Sequence, residues 1–170
     1  LEGSDSIKKL KGKTKKGERA KDAPTGDPAA SEKANKLIKR GRTDIEDQEF
    51  ESAIKKLKKA IRLLDDNGDA VDDLSVLSGA YLLIATAYFQ EGEEDEADDA
   101  LVKAVHFSPD KKLNPNEYPP IFIRSYQRAR YNVLRRPRAR LEIKAASNAQ
   151  IRLDGRSMGR SPLVLTKVLP

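Results

Sequence analysis

Gly79-Ala80-Tyr81-Leu82-Leu83-Ile84-Ala85-Thr86-Ala87-Tyr88-Phe89 contains no charged residue and a single hydroxyl threonine. A helix that is apolar all round is buried on several sides. The helix holding this stretch, running from about Ala70 to Gln90, is therefore expected at the centre of the core. Glu91-Gly92 breaks it. The next helix carries Ala97, Leu101, Ala104, Val105 and Phe107 on one side, and Ser108-Pro109 stops it.

Upstream, the same period recurs twice. Ser31 offers an N-cap, and Ala34, Leu37, Ile38, Gly41 and Ile45 fall at steps of three and four. After a break near Asp47-Gln48, a second stripe follows: Phe50, Ala53, Ile54, Leu57, Ala60, Ile61 and Leu64, with lysines on the other face. Asp65-Asp66-Asn67-Gly68-Asp69 ends it. Downstream, Asn114, Pro115, Asn116, Pro119 and Pro120 make a loop. A fifth helix, from about Pro120 to Leu134, carries Ile121, Ile123, Tyr126, Ala129, Tyr131 and Val133-Leu134, and Pro137 ends it.

The period then changes from 3.6 to 2. Leu141, Ile143 and Ala145 alternate, as do Ile151 and Leu153, and Leu163 to Val168 is strand-like; Asn148 and Asp154-Gly155 supply turns. Three strands at most are expected, too few to hold a core alone. The fold class is thus mainly α: antiparallel helical hairpins with a capping helix, followed by a small β-segment. Three regions result: a disordered basic tail or linker (1–30), a helical domain (31–136) and a partial β-module (138–170).

The 170 residues are 38% hydrophobic and 35% charged, with a net charge of +6. The apolar share is below the globular norm and the charged share above it, so part of the chain is expected outside a packed core. No apolar run approaches the roughly 18 residues of a membrane-spanning helix. Leu1 is not an initiator Met and no apolar signal segment follows it, which reads as the start of a processed chain or of a cloned fragment. With no cysteine, disulfides, thiol chemistry and Cys-based zinc sites are excluded. Charge is segregated. Residues 7 to 21 hold eight basic side chains and one acid, 91 to 99 seven acids and no base, and 124 to 140 seven arginines and no acid.

Aligning Ala53 with Ala97 also aligns Leu57 with Leu101, Ala60 with Ala104 and Leu63 with Phe107, an offset of 44 residues. Each hairpin fits a unit of about 34 residues, Ala34–Asn67 and Ser78–Lys111. The pattern resembles the tetratricopeptide repeat. Tyr81, Ala85, Tyr88, Gly92, Ala97, Ala104 and Pro109 sit where that family has its aromatic, small, aromatic, glycine, alanine, alanine and proline residues. Gly41, Phe50, Ala53 and Ala60 match in the first copy, whereas Arg40 and Asp44 stand where apolar residues are usual. The stretch Ala149 to Leu163, with Ile151-Arg152-Leu153-Asp154-Gly155, Gly159 and Ser161-Pro162-Leu163, resembles the PEGA-type β-module; Ser147 and Ala149 fit its opening.

These resemblances imply a non-enzymatic protein–protein interaction scaffold. They point to the periplasm or cell envelope of a bacterium, in an assembly such as a secretion or motility machine. The partners implied are other proteins of that complex, bound as a peptide or helix in the concave surface lined by the first helices. By the resemblance, the lining is Asn35, Ile38, Lys39, Arg42, Ile45 and Glu46 in the first unit. In the second it is Gly79, Leu82, Leu83, Thr86, Phe89 and Gln90. The alternative for Leu82, Leu83 and Phe89 is burial under the first or fifth helix.

Other chemistry has little support, and neither a metal nor a cofactor is implied. Acids at 91 to 99 suit a helix N-terminus. Asp65-x-Asn67-x-Asp69 lacks the glycine and closing Glu of a calcium loop, having Ala70 and Val76 there. His106, the single histidine, sits near a helix C-terminus, where the dipole favours the protonated ring. Gly155 to Gly159 reads as a turn between strands. The rival function is nucleic-acid binding through Arg124, Arg128, Arg130, Arg135 and Arg136, with Tyr126 and Tyr131 interleaved and the Lys-rich tail in support. A more economical use of those arginines is to face the acids at 91 to 99, within the protein or across a dimer. The tail also suits contact with a membrane surface.

Overall fold

Proline opens the first helix. In the computed structural model, which describes residues 28–67, 73, 75–145, 148–153 and 156–168, α1 spans Pro28–Glu46. A proline loses nothing at a first helical position, because that N–H has no intrahelical partner anyway. The helix therefore starts three residues before Ser31, which is not its N-cap; the Ser31 hydroxyl is buried without a hydrogen bond. Four helices follow: α2 (Phe50–Asp66), α3 (Ser75–Glu91), α4 (Glu94–Phe107) and α5 (Pro120–Leu134). The start of α3 falls later than Ala70. The Asp73 carboxylate accepts bonds from the Ser75 N–H at 2.8 Å and the Ser75 hydroxyl at 2.6 Å, so the helix begins there. The expected basic tail up to residue 27, residues 68–72, Ser147 and the expected turn at Asp154-Gly155 lie outside the described residues.

α1 packs on α2 and α3 on α4, each as an antiparallel hairpin; α3 also packs on α2 and α5 on α4. The two hairpin turns are the same object 44 residues apart. In the first, the Gln48 N–H donates to Ile45 O and the Glu49 N–H to Asp44 O, at 3.1 and 2.7 Å. In the second, the Gly92 N–H donates to Phe89 O and the Glu93 N–H to Tyr88 O, at 3.3 and 2.9 Å. This pairing is a Schellman motif, and it places one residue in the left-handed region. Gly92 takes that position at φ 81° and Gln48 at φ 63°.

Small residues set the helix spacing. A Cβ on Gly41 would stand 2.8 Å from Leu57 Cγ, so α1 and α2 close only because Gly41 has none. Asp44, at a position usually apolar, is 8% exposed, and the Lys56 ammonium donates to its two oxygens at 2.8 and 2.6 Å. That hydrogen bond holds the Asp44 carboxyl below the usual range.

The buried stripe of α5 is Phe122, Tyr126, Ala129 and Val133. Ile121 and Tyr131, which the same helix carries, are 51% and 63% exposed. The buried set keeps steps of four, three and four, which places Ile121 and Tyr131 off its face.

The β-segment has four strands, not three: β1 (Ala139–Ile143), β2 (Gln150–Leu153), β3 (Arg156–Arg160) and β4 (Leu163–Val168). β1 pairs with β4 and β2 with β3, both antiparallel. The stretch expected as a turn is largely β3. A register shift between Ile151 and Arg152 leaves Met158 unpaired, since Ile151 faces Gly159 and Arg152 faces Ser157. Such a bulge erases period-two alternation. Asn148, at φ 65°, supplies a turn as expected. The Ser161 hydroxyl accepts from the Ala145 N–H and donates to its carbonyl, while the Ser161 backbone bonds Asn148 and Ala149. No apolar side chain of these strands is buried among the described residues.

The twin turns make a direct test of backbone strain. A left-handed conformation costs a non-glycine residue about 1–2 kcal/mol, offset in part by glycine's greater freedom in the unfolded chain. Gln48→Gly is expected to raise unfolding stability by about 0.5–1 kcal/mol. Gly92→Ala, where a Cβ meets nothing within 4 Å, is expected to lower it by about 1 kcal/mol. Denaturant unfolding of both variants measures this, and equal effects of the same sign would contradict it.

Candidate functional site

The expected lining residues lie on the first helix of each hairpin, α1 and α3. On α1, Asn35, Lys39, Arg42 and Glu46 are exposed, with Ile38 and Ile45 half-buried between them. On α3, Gln90 is exposed, and Gly79, Leu83, Thr86 and Phe89 are half-buried. Leu82 does not belong to a surface: at 1% exposure it is core. Thr86 spends its hydroxyl proton on the Leu82 carbonyl at 2.9 Å. Among these residues Ile38, Ile45, Leu83 and Phe89 are half-buried against the core, and the polar ones beside them in sequence are exposed.

Phe89 is held from the side by α5. Its ring meets Phe122 edge-on at 5.5 Å, and Phe122 stacks on Tyr118 at 5.2 Å. Tyr118 and Phe122 were not among the expected site residues. Tyr118 sits in the loop before the Pro119-Pro120 pair, where no helical period points to it. The loop is fixed by its own bonds: the Tyr118 N–H donates to Asn114 O, and the Asn114 amide donates to Glu117 at 2.9 Å. Burial pushes the Tyr118 phenol up, Glu117 adds to this, and Arg42 pulls it back.

The arginines of α5 divide. Arg128 donates to Asp98 of α4 at 2.6 Å, which joins the arginine helix to the acidic stretch within the molecule. Arg130 Nε donates to the Pro109 carbonyl at 2.7 Å, and the Tyr126 hydroxyl to the Lys111 carbonyl at 3.0 Å. Both fasten α5 to the preceding loop. Arg135 lies over the Tyr131 ring, 5.6 Å from its centre. Arg124 and Arg136 are exposed.

On the far side of α3, between α2 and α4, lies a cavity of about 380 Å³. Tyr81 and Tyr88 wall it. Lys58 donates to the Tyr88 hydroxyl at 2.8 Å, and Lys103 stands 5.8 Å over the Tyr81 ring. Burial, with Asp66 nearby, holds the Asp65 carboxyl at its rim above the usual range.

His106 differs from its expected state. Burial, and then the charge of Arg136, lower its pKa from 6.5, so the neutral ring is favoured despite the helix C-terminus. The unfolded chain takes up this proton near the ordinary 6.5, and the native chain only at lower pH. Below that value the unfolded state binds more protons. The stability contributed by the neutral ring is complete above pH 6.5 and is lost as pH falls through the native pKa. His106→Gln is expected to lose less stability than the parent between pH 7.5 and 5.5 (about two units spanning the ordinary value). Equal losses in denaturant unfolding at the two pH values would contradict the assignment.

No protein-family model, curated protein or solved structure matches the chain.

Proposed function

We propose that the chain is a non-enzymatic interaction scaffold that binds a protein partner on the face shared by α1 and α3, within a bacterial envelope assembly. One observation carries the binding part. Two hairpins with the same Schellman turn pack through α2 and α3, and their first helices carry half-buried Ile38, Ile45, Leu83 and Phe89 beside exposed Lys39, Arg42, Glu46 and Gln90. An apolar row with charged borders suits an amphipathic peptide or helix, whose anchors enter the row while its polar groups meet the rim. The resemblance of the hairpins to tetratricopeptide repeats supports the same surface. The envelope part rests on the resemblance of the β-segment to the PEGA-type module. The described helices include none long and apolar enough to cross a membrane. Nucleic-acid binding remains the rival, and it has less to work with: Arg128 and Arg130 are engaged inside the molecule.

Cell fractionation and native sizing test both parts. In cells carrying the full-length gene, the protein is expected in the envelope fraction, in a complex larger than the chain. Arg42→Glu with Leu83→Asp is expected to release it from that complex with an unchanged circular dichroism spectrum. Leu83 is half-buried, so Arg42→Glu alone serves as the fold-neutral control and is expected to weaken the complex in the same direction. Recovery in the cytoplasm would overturn the envelope assignment. An unaltered complex with both variants would overturn the surface.

A further inference from the structure

α5 ends the helical stack with one face on α4 and the opposite face open. On that open face stand Arg124, Gln127, Tyr131 and Arg135, with Ile121 and Leu134 at its margins. Ile121 at 51% and Tyr131 at 63% are the large apolar residues of the described helices that remain exposed. Beside them runs a groove of about 330 Å³ lined by Gln127, Arg130, Tyr131, Leu134 and Arg135. Arg124 makes no hydrogen bond or ion pair among the described residues. No acid lies between residues 124 and 140, so nothing on α5 itself neutralises this face.

We propose that this face docks an acidic amphipathic helix of a partner protein, at a second surface separate from the α1–α3 row. Three features select that occupant. The first is charge: Arg124 and Arg135 stand on this face with no acid on α5 beside them, so a helix with a cluster of acids answers them. The second is shape. α5 is 15 residues long, about 22 Å, and side chains on one straight helix make ridges that another helix fills. The third is the apolar component. Tyr131, Ile121 and Leu134 offer contact area that a helix's apolar stripe covers and a phosphate backbone does not. Tyr131 is also held by Arg135 over its ring, which lowers the ordering cost on binding. A nucleic acid would instead track a continuous row of free cations, and Arg128 and Arg130 interrupt that row by their internal bonds.

The test uses a probe of defined chemistry: a fluorescently labelled peptide with this chain's own sequence Glu93 to Phe107. It is acidic in its first half and has Ala97, Leu101, Ala104 and Val105 at helical spacing. Fluorescence anisotropy against the full chain is expected to show saturable binding that weakens as salt is raised. Arg124→Glu with Arg135→Glu, and separately Tyr131→Asp, are each expected to weaken it by about tenfold or more. These residues are exposed, and an unchanged circular dichroism spectrum verifies the fold. Leu83→Asp is expected to leave peptide binding unaltered. No saturable binding, equal binding by the α5 variants, or loss with Leu83→Asp would each overturn the proposal. Tighter binding of a single-stranded oligonucleotide than of the peptide would overturn it in favour of nucleic acid.

Discussion

Burial of α3 from two sides is the constraint on which the rest of the fold depends. Leu77, Leu82 and Ile84 are at most 3% exposed, and Ala80, Ala85 and Ala87 are fully enclosed. Each leucine or isoleucine so buried contributes about 1.5–3 kcal/mol. The alanines contribute mainly by what they lack, since small side chains let α2 and α4 approach the same helix closely. With α3 enclosed in this way, the positions around it acquire fixed roles. Leu82 becomes core, Leu83 and Phe89 border the α1 side, and Tyr81 and Tyr88 wall the cavity between α2 and α4.

The parts of the fold legible in the sequence are those with a strong local signal. The run Gly79 to Phe89 is apolar on every side, and Pro120 and Leu134 bound α5 as the flanking prolines suggest. The repeat was visible through Ala53 and Ala97, and the turns carry it further: Gln48 and Gly92 share one backbone conformation although their side chains differ. What stayed hidden depended on partners distant in sequence. Phe122 is buried because Phe89 and Tyr118 meet it. β3 was concealed by a bulge at Met158, and the His106 pKa is lowered by burial and by Arg136, thirty residues on.

For the candidate site, residue identity was legible but depth was not. The resemblance assigned Ile38 and Arg42 of α1 and Leu83 and Gln90 of α3 to one lining, and these residues are half-buried or exposed. It could not separate Leu82 from Leu83, which differ by one position and by complete burial. The arginines show the same limit. Charge segregation announced that α5 and the acids at 91 to 99 were related, and Arg128 with Asp98 realises that relation. The pair has exposed side chains and contributes little stability by itself. Its consequence is orientation: with Arg128 and Arg130 turned toward α4 and its following loop, the open face of α5 is left to Arg124, Tyr131 and Arg135. That open face is basic, with aromatic and aliphatic contacts.

The central claim is that the face shared by α1 and α3 contacts a protein partner. Site-specific photo-crosslinking in cells carrying the full-length gene addresses it most directly. A photoreactive amino acid placed at position 42 or 90 is predicted to give a discrete protein adduct, while one at position 51 or 59, on exposed α2, gives none. Adducts from α2 alone, or none from either face while the protein remains in a larger complex, would contradict it.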